Sequence, residues 1–151
     1  MRKILIGSAL ALMALAAWNF PADAQTRNEN WYSCESGNPD TSIAGCTAVI
    51  QSVGQETDEG MSVAYYKRGD DYNQKGLYAQ AVADETKSIA LNSIYANAYG
   101  ARGFAHEKLG QRNPAIDDYR QALNLAAGHP ARYAAVTTRA QAGLQRLGGS
   151  P

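Results

Sequence analysis

The chain repeats itself with a period of 34 residues, and this period limits the folds that it can adopt. When residues 62–95 are laid over residues 96–129, identical residues coincide at eight positions. These are the pairs Ala64/Ala98, Tyr65/Tyr99, Arg68/Arg102, Gly69/Gly103, Gly76/Gly110, Ala81/Ala115, Asp84/Asp118 and Leu91/Leu125. A fixed period of this length is typical of repeat architectures, in which each unit packs against its neighbours.

The pattern predicts two helices in each unit. The first helices are expected over residues 59–75 and 94–109, and the second helices over residues 78–91 and 114–126. Gly76 and Gly110 stand where the first helices should end, because glycine tolerates the left-handed conformation that follows a helix. Asn113 and Pro114 suit the start of a helix, as a cap and a first-turn residue.

The residues at these positions resemble the tetratricopeptide repeat. Its pattern has an aromatic residue and a glycine in the first helix, a glycine at the turn, and small and aromatic residues in the second helix. The second unit carries Tyr99, Gly103, Gly110, Ala115, Tyr119 and Ala122, and the first carries Tyr65, Gly69, Tyr72, Gly76 and Ala81. The resemblance implies an all-α fold, a short right-handed α-solenoid with two repeats at residues 62–95 and 96–129.

The two units also depart from the family pattern. Arg68 and Arg102 replace the usual leucine, and His106 replaces the second aromatic residue. Glu85 and Ser88 stand where the first unit should carry an aromatic residue and an alanine. A single histidine without a partner nearby in sequence favours a packing role for His106.

Two repeats leave their outer faces uncovered, so flanking helices are expected to cap them. Residues 130–147 predict a capping helix, which completes a repeat domain at residues 59–147, and residues 148–151 predict a flexible tail. At the other end, residues 43–50 echo residues 82–89 and predict a degenerate second helix of an earlier repeat. Residues 25–58 are therefore expected to form an N-terminal segment, in which residues 31–38 are irregular.

The first 24 residues predict a secretory signal peptide. Arg2 and Lys3 precede an apolar run over residues 4–17, and Ala22-Asp23-Ala24 is a small-x-small cleavage pattern. The run is too short for a membrane-spanning helix, which is the alternative. Residues 25–151 are therefore expected to lie beyond the inner membrane without a membrane span, and a bacterial periplasm is the predicted location.

An oxidising compartment allows Cys34 and Cys46, twelve residues apart, to form a disulfide. A loop of this size stabilises a fold by about 3 kcal/mol in the chain-entropy model. The alternative is a redox-active pair. The spacing favours the structural bond, because redox dithiols usually lie close together in sequence.

Composition and motifs argue against several functional classes. The 14 Lys and Arg residues balance 14 Asp and Glu residues, so no excess of positive charge predicts nucleic-acid binding. The two histidines lack metal-ligand spacing, and no nucleophile elbow or phosphate-binding loop occurs. We therefore expect no enzyme activity, no catalytic residues, no metal and no cofactor.

The resemblance implies that the first helices line a concave groove that binds a peptide or helix of another protein. Helical spacing then places six candidate partner-binding residues on this face: Tyr66, Asp70, Asn73, Asn97, Phe104 and Lys108. Tyr66 and Phe104 would anchor the partner, and the polar residues would orient it. The alternative is that both aromatic residues pack under the flanking helices. A clamp for a terminal carboxylate is not expected, because Tyr66 and Asp70 occupy part of that face.

The sequence thus predicts a non-catalytic, periplasmic protein–protein interaction module. One alternative is a self-association unit, since short repeat arrays can stack through their ends into homo-oligomers. Another is a thiol-disulfide redox protein that uses Cys34 and Cys46.

Overall fold

A computed structural model describes residues 22–52 and 54–149 of the chain. Within those residues all seven regular elements are α-helices, which confirms the all-α prediction. They are α1 (Ala22–Cys34), α2 (Pro39–Gln51), α3 (Asp58–Gln74), α4 (Tyr78–Leu91), α5 (Ala96–Lys108), α6 (Arg112–Ala126) and α7 (Ala134–Arg146). Over the described ranges, none of these helices is both long and apolar enough to cross a membrane.

The helices form three consecutive antiparallel pairs, which we call hairpins, and a final single helix. Helix α1 packs on α2, α3 on α4 and α5 on α6, and each hairpin packs on the next one. Helix α7 packs on both α5 and α6. This arrangement is a short repeat solenoid, with α7 in the position of the predicted capping helix.

The turns inside the second and third hairpins have the same geometry. Gly76 and Gly110 both have a φ of 74°, in the left-handed region that favours glycine. Beyond each glycine the backbone N–H donates across the turn, from Leu77 to the Tyr72 carbonyl and from Gln111 to the His106 carbonyl. The prediction that glycine ends both first helices is therefore confirmed.

Helix bounds agree with the sequence predictions to within a few residues. Helix α4 has the predicted limits, whereas α5 begins at Ala96 rather than 94, and α7 at Ala134 rather than 130. The prediction that Asn113 caps α6 is wrong. The helix begins at Arg112, so Asn113 and Pro114 lie in its first turn, where the missing N–H of proline costs no hydrogen bond.

The arginines that replace the family leucine join the two helices of a hairpin. Arg68 on α3 binds both carboxylate oxygens of Asp84 on α4, at 2.7 and 2.8 Å. Arg102 on α5 binds Asp118 on α6 in the same way, at 2.8 and 2.7 Å. Because both partners are largely buried, each pair fixes the register of its hairpin through two parallel hydrogen bonds.

The same arginines also reach the preceding hairpin. Arg68 Nη1 donates to Thr47 of α2 at 3.0 Å, and Arg102 Nη1 donates to Thr86 of α4 at 3.2 Å. Thr47 and Thr86 are equivalent in the predicted echo between residues 43–50 and 82–89. Helix α2 therefore has the place of a second repeat helix, and α1 completes a first, degenerate hairpin.

A disulfide closes this first hairpin. Cys34 at the end of α1 is bonded to Cys46 on α2, as predicted, and both residues are buried. The Ser42 hydroxyl donates to the Cys34 carbonyl at 2.7 Å and fixes the chain beside the bond. The prediction that residues 31–38 are irregular is wrong for its first half, because Trp31–Cys34 form the last turn of α1.

The two predicted terminal segments are only partly described. Residues 1–21 of the predicted signal peptide and residues 150–151 of the predicted tail lie outside the described ranges. Gly148 and Gly149 follow α7, and their N–H groups donate to the Gln145 and Leu144 carbonyls at 3.1 and 2.8 Å.

The larger apolar core lies in the third hairpin and α7. Its buried members are Ala96, Ala115, Tyr119, Ala122, Ala126, Tyr133, Val136, Ala140 and Leu144. A smaller core surrounds the disulfide and includes Val49 and Ala64. Between these cores, the interior of the second hairpin contains Ser62, Ser88 and Glu85, all fully buried.

Candidate functional site

An open groove lies between the first helices of the hairpins and α7. Its larger cavity measures about 680 Å³ and is lined by Asp70, Asn73, Gln74, Tyr78, Phe104, Lys108, Arg139, Ala142 and Arg146. A smaller cavity of about 140 Å³ is lined by Tyr66, Asn97, Arg132, Ala135, Val136 and Arg139. All six candidate partner-binding residues therefore line one of these two cavities. That they bind a partner stays a prediction.

Tyr66 is half-buried in the wall of the smaller cavity. Its ring contacts the edge of the Tyr95 ring, with centroids 5.1 Å apart and an angle of 75° between the planes. Burial, and then the nearby Asp70 carboxylate, raise the pKa of Tyr66, so its hydroxyl keeps its proton at neutral pH. Tyr66 thus contributes an aromatic surface and a neutral hydroxyl to the cavity wall.

Asp70 bridges the groove to α7. Its Oδ1 accepts a hydrogen bond from Arg139 Nη1 at 3.1 Å. Both side chains are partly exposed, so this ion pair contributes little to stability. Arg139 lines both cavities, and it therefore marks the boundary between them.

Asn73 has a structural role that the sequence did not indicate. Its side-chain amide donates from Nδ2 to the Ala101 carbonyl at 3.1 Å and ties α3 to α5. The residue is only 6% exposed, and its Oδ1 is buried without a hydrogen-bond partner. Asn73 therefore lines the larger cavity with little of its side chain exposed, and its role in orienting a partner stays a prediction.

Phe104 and Lys108 form the apolar and cationic part of the larger cavity. The Phe104 ring stands edge-on to Tyr78, with centroids 6.2 Å apart, and Lys108 Nζ lies 5.2 Å from the Phe104 centroid. Lys108 forms no ion pair with any carboxylate in the described part of the chain. This corner therefore presents an aromatic wall and a positive charge that is in no ion pair.

Arg146, by contrast, is already paired. Its guanidinium binds Glu107 through two hydrogen bonds of 2.7 and 2.9 Å. Glu107 also accepts a hydrogen bond of 2.7 Å from the Tyr119 hydroxyl. The Arg146 hydrogen bond is the main reason that the pKa of Glu107 is lowered. Arg146 therefore offers less positive charge to a ligand than Lys108 does.

Four charged or aromatic residues line the cavities without belonging to the six predicted ones: Tyr78, Arg132, Arg139 and Arg146. Arg139 and Arg146 are seven residues apart on α7, a spacing that brings side chains to the same side of a helix, and Arg132 lies in the turn that precedes α7. Tyr78 comes from the start of a second helix, and no groove pattern based on first helices includes it.

His106 lines neither cavity and lies beside the ion pair of the third hairpin. Its Nε2 is 3.8 Å from Asp118, and its Nδ1 contacts the Gln111 side chain. Its expected packing role agrees with this position. Among the described residues, no group of three or more His, Cys, Asp or Glu side chains could hold a metal ion.

Comparison with known proteins supports the repeat assignment. Residues 96–129, which are the second predicted repeat, match the model of the tetratricopeptide repeat family. PcrH from Pseudomonas aeruginosa has a similar structure, with a TM-score of 0.68 and 20% identity over 91% of this chain and 100% of that one.

Two further similar structures are tetratricopeptide repeat domains. The domain of Arabidopsis OM64 gives a TM-score of 0.64 and 22% identity over 83% of this chain and 93% of that one. The second domain of human RPAP3, solved with the HSP70 peptide SGPTIEEVD, gives 0.64 and 22% over 84% and 95%. Residues 96–129 thus match a tetratricopeptide repeat, and along most of its length the chain shares the helical fold of tetratricopeptide repeat domains.

Proposed function

We propose that this protein is a non-catalytic interaction module that binds an extended peptide segment of another protein in the groove between α3, α5 and α7. The observation that carries the proposal is the larger cavity, where side chains from separate helices meet around an aromatic wall and an unpaired cation. The fold is a protein-interaction scaffold in the similar domain of RPAP3, which was solved with a bound peptide.

The chemistry of the cavity favours one kind of segment. An apolar or aromatic side chain would pack on Phe104 and Tyr78, since buried aromatic contacts dominate binding energy at interfaces. A neighbouring carboxylate would pair with Lys108 and would also speed association by charge complementarity. The partner segment is therefore expected to combine an apolar residue with an acidic one.

The periplasm is the proposed site of action. The predicted signal peptide supports export, and the buried disulfide suits an oxidising compartment. The buried position of both cysteines also favours a structural bond over a redox-active pair, because a redox pair needs access to its substrate.

Affinity capture from periplasmic extract tests the proposal, with residues 25–151 as bait. The test variant is Lys108→Glu, which reverses the charge in the cavity at an exposed position. The matched control is Lys87→Glu, which makes the same change at an exposed position of α4 that lines neither cavity. A partner held by the native protein and the control, and lost with Lys108→Glu, would support the groove as the binding site.

Overlapping synthetic peptides that cover the sequence of the captured partner are then made, and each is titrated against the native bait and both variants. Equal binding to all three baits would refute the groove proposal. If no partner is captured and the bait's molecular mass in sedimentation rises with its concentration, self-association is favoured instead.

A further inference from the structure

Glu85 on α4 is a buried acid that no contact in the described chain explains. The residue is 0% exposed, and neither carboxyl oxygen has a hydrogen-bond partner. A Cβ atom added to Gly69 on α3 would lie 2.6 Å from Glu85 Oε1, so the carboxyl group packs directly on the α3 backbone. Because an unpaired charge in such a place is very costly, the carboxyl group keeps its proton while the fold stays closed.

The groups around Glu85 offer no free counter-charge. From α3 it faces Asp70 and the Tyr66 phenol, and from its own helix Asp84. The Tyr95 phenol faces it from the residue that precedes α5. All four groups are neutral or acidic, so none of them stabilises a second negative charge.

Two cations lie in the same neighbourhood, but both are committed to other acids. Arg102 on α5 holds Asp118, and Arg139 on α7 binds Asp70. Burial is the largest cause of the raised pKa of Glu85, and Asp70 and Asp84 add to it. Ionisation of Glu85 therefore requires that an existing ion pair break or that α3 separate from α4.

The helix that covers Glu85 also forms one wall of the groove. Gly69 lies between Tyr66 and Asn73 on α3, and both of these residues line the cavities. The only side-chain hydrogen bond from α3 to α5 among the described contacts is the one from Asn73 to the Ala101 carbonyl. A shift of α3 at Gly69 would therefore move Tyr66, Asp70 and Asn73 together.

We propose that protonation of Glu85 is a switch that holds α3 against α4 and keeps the groove in its binding shape, and that loss of this proton at higher pH loosens the groove. What the switch regulates rests on the proposed function, whereas the switch itself does not. Because the observed groove belongs to the protonated form, a partner that binds this groove also favours the proton. Affinity for the partner therefore falls as the pH rises.

The first test needs no partner. The carboxyl carbon of Glu85 in the whole protein is followed by NMR across a pH series, and amide hydrogen exchange is measured in parallel as protection factors. Protection of residues 66–74 in α3 is expected to fall by up to about tenfold for each pH unit above the titration midpoint of Glu85, as one linked proton requires. Residues 115–122 of α6 serve as the internal reference and keep their protection.

Two variants separate the switch from general effects of pH. Glu85→Gln keeps the side-chain shape and cannot ionise, so its α3 protection is expected to stay constant across the series. Glu59→Gln removes an exposed acid from α3 and is expected to follow the native protein. A Glu85 titration near the ordinary carboxyl range, or an equal fall of protection in Glu85→Gln, would overturn the switch.

A peptide identified by the capture experiment completes the test. Its affinity is expected to fall with rising pH in the native protein and in Glu59→Gln, and to stay level in Glu85→Gln. Affinity that is independent of pH, while Glu85 titrates and α3 loosens, would refute the regulation. If α3 loosens as expected but no peptide binds at any pH, the proposed function fails and the switch remains.

Discussion

The two 34-residue repeats share a backbone fold but differ in the side chains that fill their interiors. Four pairs of equivalent positions are polar in the first repeat and apolar or aromatic in the second: Ser62/Ala96, Asp71/Ala105, Glu85/Tyr119 and Ser88/Ala122. All eight residues are buried. The second repeat therefore closes around an apolar core, whereas the first closes around hydroxyl and carboxyl groups.

One position shows the difference most clearly, because all three hairpins occupy it differently. The echo between residues 43–50 and 82–89 places Cys46 of α2 opposite Glu85, and the 34-residue period places Tyr119 opposite Glu85. The three hairpins thus carry a disulfide, an unpaired acid and an aromatic ring at one site in the fold. The shared backbone is maintained elsewhere, by the turn glycines and the arginine–aspartate pairs. Stability is expected to be distributed unevenly along the solenoid as a result.

The largest expected effect is the loss of the Tyr119 ring. The residue is fully buried between Gly103 and Gly143, and its hydroxyl donates to Glu107. Tyr119→Ala is expected to lower the free energy of unfolding by about 3–5 kcal/mol, because it leaves a ring-sized cavity. Urea unfolding followed by circular dichroism measures the change.

The equivalent change in the first repeat is the control for this comparison. Glu85→Ala removes a group whose burial is unfavourable, so its cost is expected to be well below that of Tyr119→Ala. Similar losses in the two variants would show that the interiors of the repeats contribute equally, and the comparison would fail.

Removal of the disulfide is expected to have the next largest effect. Cys34 and Cys46 close a loop of twelve residues, which is worth about 3 kcal/mol in the chain-entropy model. Urea unfolding of a Cys34→Ser, Cys46→Ser double variant and of the native protein measures this difference in the free energy of unfolding. Because the bond lies far from Tyr119, the losses from the two sites should add. If the double variant unfolds with the same urea midpoint as the native protein, the first hairpin does not take part in cooperative unfolding.

A smaller effect is expected from the ion pair that supports Tyr119. Because the Arg146 and Tyr119 hydrogen bonds lower the pKa of Glu107 in the folded state, Glu107 adds stability above its unfolded pKa, and this is lost as the pH falls through the folded value. Glu107→Gln is expected to make the loss of stability at acid pH less steep. Its cost at neutral pH should stay below about 1 kcal/mol, because Arg146 is half exposed. Thermal melts between pH 2 and 7 test both statements. The same loss of stability at acid pH in the variant and in the native protein would contradict them.

The sequence predicts the periodic features of this fold better than the individual contacts. Gly76 and Gly110 predict the turns at their positions, because only a few residue types tolerate the left-handed region. The spacing of first-helix residues also places Phe104 and Lys108 in the groove. Helix α1 is not predicted from the sequence because it carries few apolar residues, and a disulfide to the next helix joins it to the fold.

The role of Asn73 escapes prediction for another reason. Whether its amide faces solvent or the Ala101 carbonyl depends on how closely α3 and α5 approach, and that distance is a property of the assembled solenoid. Arg139 is likewise visible in sequence as a polar residue of the capping helix. Its contact with Asp70, 69 residues away, follows only from the assembled solenoid, in which the two side chains meet across the groove.

The smallest expected effect comes from making the first repeat more like the second. Ser62 and Ser88 hydrogen-bond each other's hydroxyl at 3.0 Å, and each hydroxyl also reaches the other residue's carbonyl, at 3.0 and 2.8 Å. Either single change to alanine should cost about 1 kcal/mol, because it removes one partner from a buried polar pair. The double change reproduces Ala96 and Ala122 of the second repeat, and replacing both partners by apolar groups is nearly neutral. A double-mutant cycle in urea unfolding should therefore give a double variant that is less destabilised than the sum of the singles. Strict additivity would mean that the two hydroxyls act independently, and that the polar interior of the first repeat is not an exchangeable alternative to the apolar one.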